Sequence, residues 1–209
     1  MTLYIPEHFR VDDFEAQVAF VRRNGFADLI SASGRGELHV SHLPLLPRVE
    51  APGKLRLLGH VARANPHWQV LESAASVLAV FWGPHAYVSP TWYENHPSVP
   101  TWNYAVVHAH GRARLVEEPQ LHETLLELSA AYESGRAKPW RMSELPSAYV
   151  DAMLKNIVGF EIEVERLEGK FKLSQNRPAE VPRLVAALEA EGEAETAALM
   201  RAHSPAAEG

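Results

Sequence analysis

The chain has 209 residues, of which 46% are hydrophobic and 22% charged, a composition typical of globular domains that excludes a wholly disordered chain. It has no cysteine, which excludes disulfides, thiolate nucleophiles, cysteine zinc sites and iron–sulfur clusters. Its 26 acidic residues against 20 lysines and arginines give a net charge of −6, which does not favour a protein that grips nucleic acid by its phosphates.

The first predicted element is a helix over residues 12–24. Asp12 is a candidate N-cap, and Glu15 stands three residues later, at the spacing of a capping box. An apolar stripe at helical spacing follows, and the turn formers Asn24-Gly25 end the pattern.

Strands are predicted over much of the chain, mainly from the alternation of apolar and polar residues. Gly83-Pro84 is expected to end the fourth strand. The last strand is expected to turn Glu161, Glu163 and Glu165 towards solvent. The predicted strands are residues 26–32, 37–46, 54–61, 76–82, 103–117 and 160–165.

Helices are predicted between these strands. A short one follows Asn65-Pro66, which places proline at the first helical position, and a longer one begins at Pro119. The next helix is expected to carry Tyr149, Met153 and Ile157, which lie at helical spacing.

The order of these elements predicts an α+β fold that is mainly β. Strands do not alternate regularly with helices, which argues against a doubly wound parallel sheet. A mostly antiparallel barrel with flanking helices fits better. We predict a main domain over residues 1–178 and a helical tail over residues 179–209, rich in alanine and glutamate, with one or two surface helices.

No segment of the chain predicts a membrane span or a secretion signal. No apolar run approaches the roughly 18 residues that a membrane helix needs. The N-terminus has no basic region followed by an apolar stretch. The expected location is the cytoplasm.

Several common site motifs are missing from the sequence. It has no dinucleotide-binding glycine fingerprint, no P-loop and no G-x-S-x-G nucleophile elbow. His39 and His42 lie three residues apart on a predicted strand and therefore face opposite sides. His108 and His110 share a face, but no acidic residue lies close to them in sequence. We therefore predict no metal site, and no residue stands out as an acid–base catalyst, so the sequence does not name a catalytic residue.

Three clusters of hydrogen-bond donors suggest a ligand site. His60, Arg63 and Asn65 lie at a strand end, and residues 100–104 combine aromatic rings with amide and hydroxyl groups. Residues 170–177 form the third cluster, which suits an anionic or heteroaromatic ligand. A solvated turn would explain this third cluster equally well. Three clusters in different segments favour one composite site.

Six segments together resemble the PaiB family, whose members are described as FMN-binding negative transcriptional regulators. The resemblance runs from residue 4 to about residue 177 and leaves the tail outside. It implies an FMN-binding split β-barrel, a homodimer with flavin at the subunit interface, and repression of protease and sporulation genes in some bacteria. The segments are YIPEHF (4–9), SHLPLL (41–46), GHVARANP (59–66), GPHAYVSP (83–90), PTWNY (100–104) and KLSQNR (172–177).

The resemblance also implies roles for single residues in a flavin site. Ser41, His42 and Leu43 would lie along the isoalloxazine and offer main-chain hydrogen bonds. His60 and Val61 would continue the wall of the pocket. The phosphate would be held by Arg63 and Asn65, the pyrimidine edge would face Asn103 beside Trp102, and the other subunit would supply Lys172, Ser174 and Gln175.

Two further functions remain open from the sequence. A flavin-dependent reductase or oxidase would act on a small molecule that the sequence does not identify. A haem-binding split barrel is also compatible with the eleven histidines. Direct DNA binding, which the family description suggests, finds no support in the charge or in a helix-turn-helix with a basic face.

Overall fold

The structure is a computed structural model that describes residues 3–204. Its strands are β1 (Arg10–Val11), β2 (Phe26–Ala32), β3 (Leu38–Pro44), β4 (Leu46–Ala51), β5 (Lys54–Ala62), β6 (Val77–Val88), β7 (Thr101–Leu115) and β8 (Ile157–Lys172). They form one sheet in the order β3-β2-β6-β7-β8-β5-β4, with β1 paired to β8. Pairing of β2 with β3 and β6, of β5 with β4 and β8, and of β1 with β8 is antiparallel. The sheet is not closed, because β3 and β4 stand at the two ends of this order.

Six α-helices accompany the sheet in the described part of the chain. Among residues 3–204, no helix is both long and apolar enough to cross a membrane. The predicted mainly β fold with flanking helices is thereby confirmed. The helices are α1 (Phe14–Arg23), α2 (His67–Ser73), α3 (Glu118–Glu133), α4 (Ser147–Leu154), α5 (Val181–Ala190) and α6 (Ala194–His203).

The chain divides into two compact units. The first comprises the chain up to Phe20, the segment Trp82–His108 and the chain from Glu168 onward. The second comprises Val21–Phe81 and Ala109–Leu167.

The second unit is built around the hairpin of β2 and β3. Its turn contains Gly36, whose φ of +82° is a conformation that glycine adopts without a Cβ penalty. The ladder pairs Phe26 with Pro44 and Ala32 with Leu38, as the alternating pattern predicted. The core of this unit consists of fully buried side chains, among them Leu29, Leu57, Phe81, Phe160 and Ile162.

Two boundaries were predicted wrongly. The predicted strand 37–46 is divided, because β3 ends at Pro44 and β4 begins at Leu46. Gly83-Pro84 does not end β6, which continues to Val88. The register of β6 with β2 ends at Phe81, so beyond it a proline costs no ladder bond to β2.

The structure also differs from prediction at two helices. The α1 N-terminus is capped by Asp13, whose Oδ1 accepts a hydrogen bond from the Ala16 amide at 2.6 Å, and not by Asp12. In α4 the buried residues are Val150 and Leu154, Tyr149 and Met153 lie on the helix and are exposed, and Ile157, which was predicted on this helix, begins β8.

The predicted tail helices are present as α5 and α6, and each has a buried face in the first unit. Leu184 and Leu188 on α5 and Met200 on α6 are fully buried. The ring of His203 packs edge-on against Phe171 of β8, with centroids 5.0 Å apart. These helices therefore contribute to the core of the first unit.

Candidate functional site

In the second unit, the N-terminus of α2 is bound to the β2–β3 hairpin by a chain of hydrogen bonds. His67 is 2% exposed and lies between two serines, with Nδ1 2.8 Å from Ser41 Oγ and Nε2 2.8 Å from Ser31 Oγ. Asn65 donates from Nδ2 to Ser41 Oγ at 3.0 Å and accepts from the His67 amide at Oδ1. Ser41 Oγ has two acceptor lone pairs, so it either donates to Nδ1 or accepts from it as well, and Ser31 takes the opposite role at Nε2.

This network makes stability dependent on pH. Burial first, and the nearby ring of His39 second, lower the pKa of His67 below its usual 6.5. The unfolded chain then binds more protons, so stability is full above pH 6.5 and falls as the pH drops from there through the lowered pKa.

The expected result is a loss of at most about 1.4 kcal/mol per pH unit from His67, read from urea unfolding between pH 7.5 and pH 5.5. His67→Gln removes the titrating group and should flatten the profile. It should not abolish the slope, because burial also lowers the pKa of His60. A slope unchanged by His67→Gln would contradict this origin.

The other predicted residues of this hairpin lie in two environments. His42 is exposed, and its Nδ1 is 2.6 Å from Oδ1 of Asp28, the residue directly opposite on β2. Leu43 is buried. Val61, predicted as pocket wall, is buried as well.

His60 on β5 has a buried ring nitrogen that lacks a partner. Its Nδ1 has no hydrogen-bond partner among residues 3–204. Native proteins rarely leave a buried polar atom unpaired, because the desolvation cost is then not recovered. The Nδ1 atom of His60 is therefore an unpaired polar atom enclosed by the protein itself.

Arg63 lies just beyond β5 and lines a cavity of about 300 Å³ within the second unit. Its Nε donates to the carbonyl of Lys155 at 2.8 Å and its Nη2 to the carbonyl of Ile157 at 3.0 Å. Those two bonds fix the plane of the guanidinium and leave three of its five N–H groups for other acceptors. The cavity is otherwise lined by Lys155, Glu118 and apolar side chains from α3, α4 and the start of β8.

In the first unit, Asn103 and Ser174 bind each other. Asn103 is fully buried, its Nδ2 donates to Ser174 Oγ at 2.9 Å, and Ser174 donates back to Oδ1 at 3.2 Å. Asn103 Nδ2 also contacts Met200 Sδ at 3.3 Å. Gln175 bonds the main chain of Leu173 and Phe171. The polar side-chain atoms of these three predicted residues are thus paired within the unit.

Trp102 and Lys172 occupy a more open part of the same unit. Trp102 is 54% exposed, and its ring lies 5.9 Å from that of Tyr87, centroid to centroid. Lys172 donates from Nζ to Thr101 Oγ1 and, at 2.6 Å, to the Trp102 carbonyl. Burial first, and the charge of Lys170 second, lower the pKa of Lys172.

The structure thus collects the predicted residues in groups. It joins Ser41 to Asn65, Asn103 to Ser174, and Trp102 to Lys172. Sequence reasoning missed Ser31 and His67. The only local signal for His67 was its position directly after Asn65-Pro66, which was interpreted as a helix start and nothing more.

Comparison with known proteins gives the family. The family model described as "Putative FMN-binding domain" matches residues 3–166, which includes the predicted site residues from Ser41 to Asn103 and not Lys172, Ser174 or Gln175. The chain is 38% identical over 175 residues to the protease synthase and sporulation protein PAI 2 of Bacillus subtilis, covering 84% of this chain and 83% of that protein.

Solved structures give the fold. The flavocytochrome Anf3 from Azotobacter vinelandii superposes with a TM-score of 0.58 at 16% identity, covering 80% of this chain and 72% of that one. The FAD and haem binding protein from Mycobacterium smegmatis superposes with a TM-score of 0.57 at 12% identity, covering 78% and 73%. The predicted split-barrel fold is confirmed, and the chain belongs to the PaiB-like FMN-binding family.

Proposed function

We propose that this chain binds FMN as a homodimer, with the flavin at the subunit interface. The observation that carries the proposal is Arg63, which lines a cavity inside the segment matched by the FMN-binding family model and keeps three N–H groups for an anion. A bound flavin supplies electron-transfer chemistry, and the protein binds and orients it.

The phosphate and the ring system of FMN each have residues in this chain that are suited to bind them. The three unused N–H groups of Arg63 suit a phosphate, to which arginine donates in a fork. The exposed ring of Trp102 offers a flat surface for an aromatic system. Lys172 of the second subunit would add a positive charge.

The remaining predicted residues would act mainly through their main chain and their shape. The side-chain bonds of Ser41 and Asn65 hold α2 against the hairpin, so the main chain around Ser41–His42–Leu43 is held in place for the flavin. Asn103, Ser174 and Gln175 position the end of β8 in the same way.

Arg63→Ala tests the phosphate assignment. We expect FMN affinity to fall about tenfold or more, because charge-assisted hydrogen bonds are lost, and riboflavin affinity to change less than about twofold. Fluorescence titration of flavin-free protein measures both. Arg35→Ala, which removes an exposed arginine in the β2–β3 turn, is the matched control and should change neither. Equal losses for FMN and riboflavin would remove Arg63 from this role.

A regulatory role is the second candidate function. It is favoured by the 38% identity to a protein named for protease synthesis and sporulation. With a net charge of −6, direct DNA binding would require basic residues gathered on one face. Promoter binding that weakens steeply with salt would support it, and salt-independent or absent binding would favour a protein partner or a flavin-dependent reductase or oxidase.

A further inference from the structure

Lys170 of β8 is a buried lysine for whose ammonium residues 3–204 provide no paired carboxylate. The residue is only 7% exposed. Its Nζ lies 5.4 Å from the ring centroid of Tyr4 and 5.3 Å from that of Tyr104. Among residues 3–204, these two rings are the only contacts found for the ammonium, and no carboxylate pairs with it. A buried charge without a counter-ion is costly, and two ring faces offset that cost only in part.

Two more cations face the same way. Lys172 lies two residues along β8, so it shares the face of Lys170. After burial, the charge of Lys170 is the second cause that lowers the pKa of Lys172. Arg10 on β1 lies directly opposite Lys170 in the antiparallel ladder, so it belongs to this face as well. Three cations on one face create a region of positive electrostatic potential, and a bound anion would reduce the repulsion among them.

The hydrogen-bonding capacity around these cations is also open. Lys172 donates two of its three N–H groups, one to Thr101 and one to the Trp102 carbonyl. Among residues 3–204, the ammonium of Lys170 donates no hydrogen bond to an oxygen. Glu168, an acid two residues before Lys170 on the same strand face, accepts a hydrogen bond from the Leu3 amide at 3.1 Å. Donors are therefore in excess next to two aromatic side chains, Tyr104 and Trp102.

We propose that Lys170 and Lys172 form a binding site for a phosphate group, with Arg10 at its edge, and that the natural ligand is a phosphate ester bearing a flat ring. The dianionic phosphate would pair with both ammonium groups, and the ring would stack beside Tyr104 and Trp102. The phosphate could belong to FMN from the proposed function or to a second phosphorylated ligand. The site itself requires only phosphate chemistry.

Calorimetric titration of flavin-free protein with inorganic pyrophosphate tests the site without any flavin. Wild type is expected to bind, and Lys170→Met to bind about tenfold more weakly or worse, because charge-assisted hydrogen bonds are lost. Lys54→Met removes an equal charge from the exposed first residue of β5 and should leave the affinity within about twofold. Lys172→Met should repeat the loss and serves if Lys170→Met does not fold. Absence of binding, or equal weakening by Lys170→Met and Lys54→Met, would overturn the proposal.

A second titration, on protein loaded with FMN, identifies the source of the phosphate. Loss of pyrophosphate binding would assign the phosphate of FMN to this site in place of Arg63. Retained binding would assign it to a second phosphorylated ligand. Both results are consistent with a phosphate site at Lys170 and Lys172. If FMN does not bind at all, the first titration still tests this site, because it uses flavin-free protein.

Discussion

Truncation after Arg177 is expected to lower the free energy of unfolding by more than about 5 kcal/mol, which is enough to unfold many domains of this size. The deletion removes the fully buried side chains of Leu184, Leu188 and Met200, each of which contributes about 1.5–3 kcal/mol by burial. It also uncovers Asn103, which contacts Met200. Urea unfolding followed by circular dichroism measures the loss.

A single substitution shows how much of the lost stability comes from side-chain packing and how much from removing the whole tail. Leu188→Ala should cost about 2–4 kcal/mol, because the side chain is fully buried. Leu126→Ala on α3 is the matched control, and its half-exposed side chain should cost less than about 1 kcal/mol. A truncated chain with unchanged stability would instead support the predicted division at residue 178, which stays a prediction until then.

Glu161→Ala is expected to destabilise the second unit by about 2–4 kcal/mol. The Glu161 carboxylate is 2% exposed, and Oε1 accepts from Arg56 at 2.7 Å and from Arg114 at 2.6 Å. Its Oε2 accepts from Gln120 of α3 at 2.6 Å. The substitution therefore removes the acceptor that joins β5, β7 and α3.

Glu165→Ala provides the matched control on the same strand. Glu165 pairs with Arg112 at 2.9 Å, but both side chains are largely exposed, so the loss should be less than about 1 kcal/mol. Thermal or urea unfolding of both variants gives the difference. Equal small losses in the free energy of unfolding would contradict the prediction, because Arg56 and Arg114 would then be solvated without a penalty in the absence of Glu161.

The local parts of the fold were predictable because their causes are local. The β2–β3 hairpin follows from alternation and a glycine turn. The short helix α2 follows from Asn65-Pro66, where the Asn65 side chain bonds the His67 amide. The end of β6 was predicted wrongly because the effect of Gly83-Pro84 depends on whether β2 still pairs with the strand there, which is a property of the sheet.

The burial of polar side chains was not predictable in this way. Glu161 alternates with apolar residues and was therefore expected on the solvent face, but α3 covers that face and supplies Gln120. Asn103 and Ser174 are 71 residues apart, and Arg63 finds its acceptor 92 residues away at Lys155. Contacts at such separations depend on how the strands are arranged. Sequence patterns therefore predicted which residues could form a site, but not which residues they contact.

The visible absorption spectrum of the protein, mixed with FMN and then desalted, tests the central proposal most directly. A symmetric dimer with two equivalent interface sites should retain a flavin spectrum at about one FMN per chain. A protein that leaves the column without flavin, or that carries the Soret band of haem in its place, would contradict it.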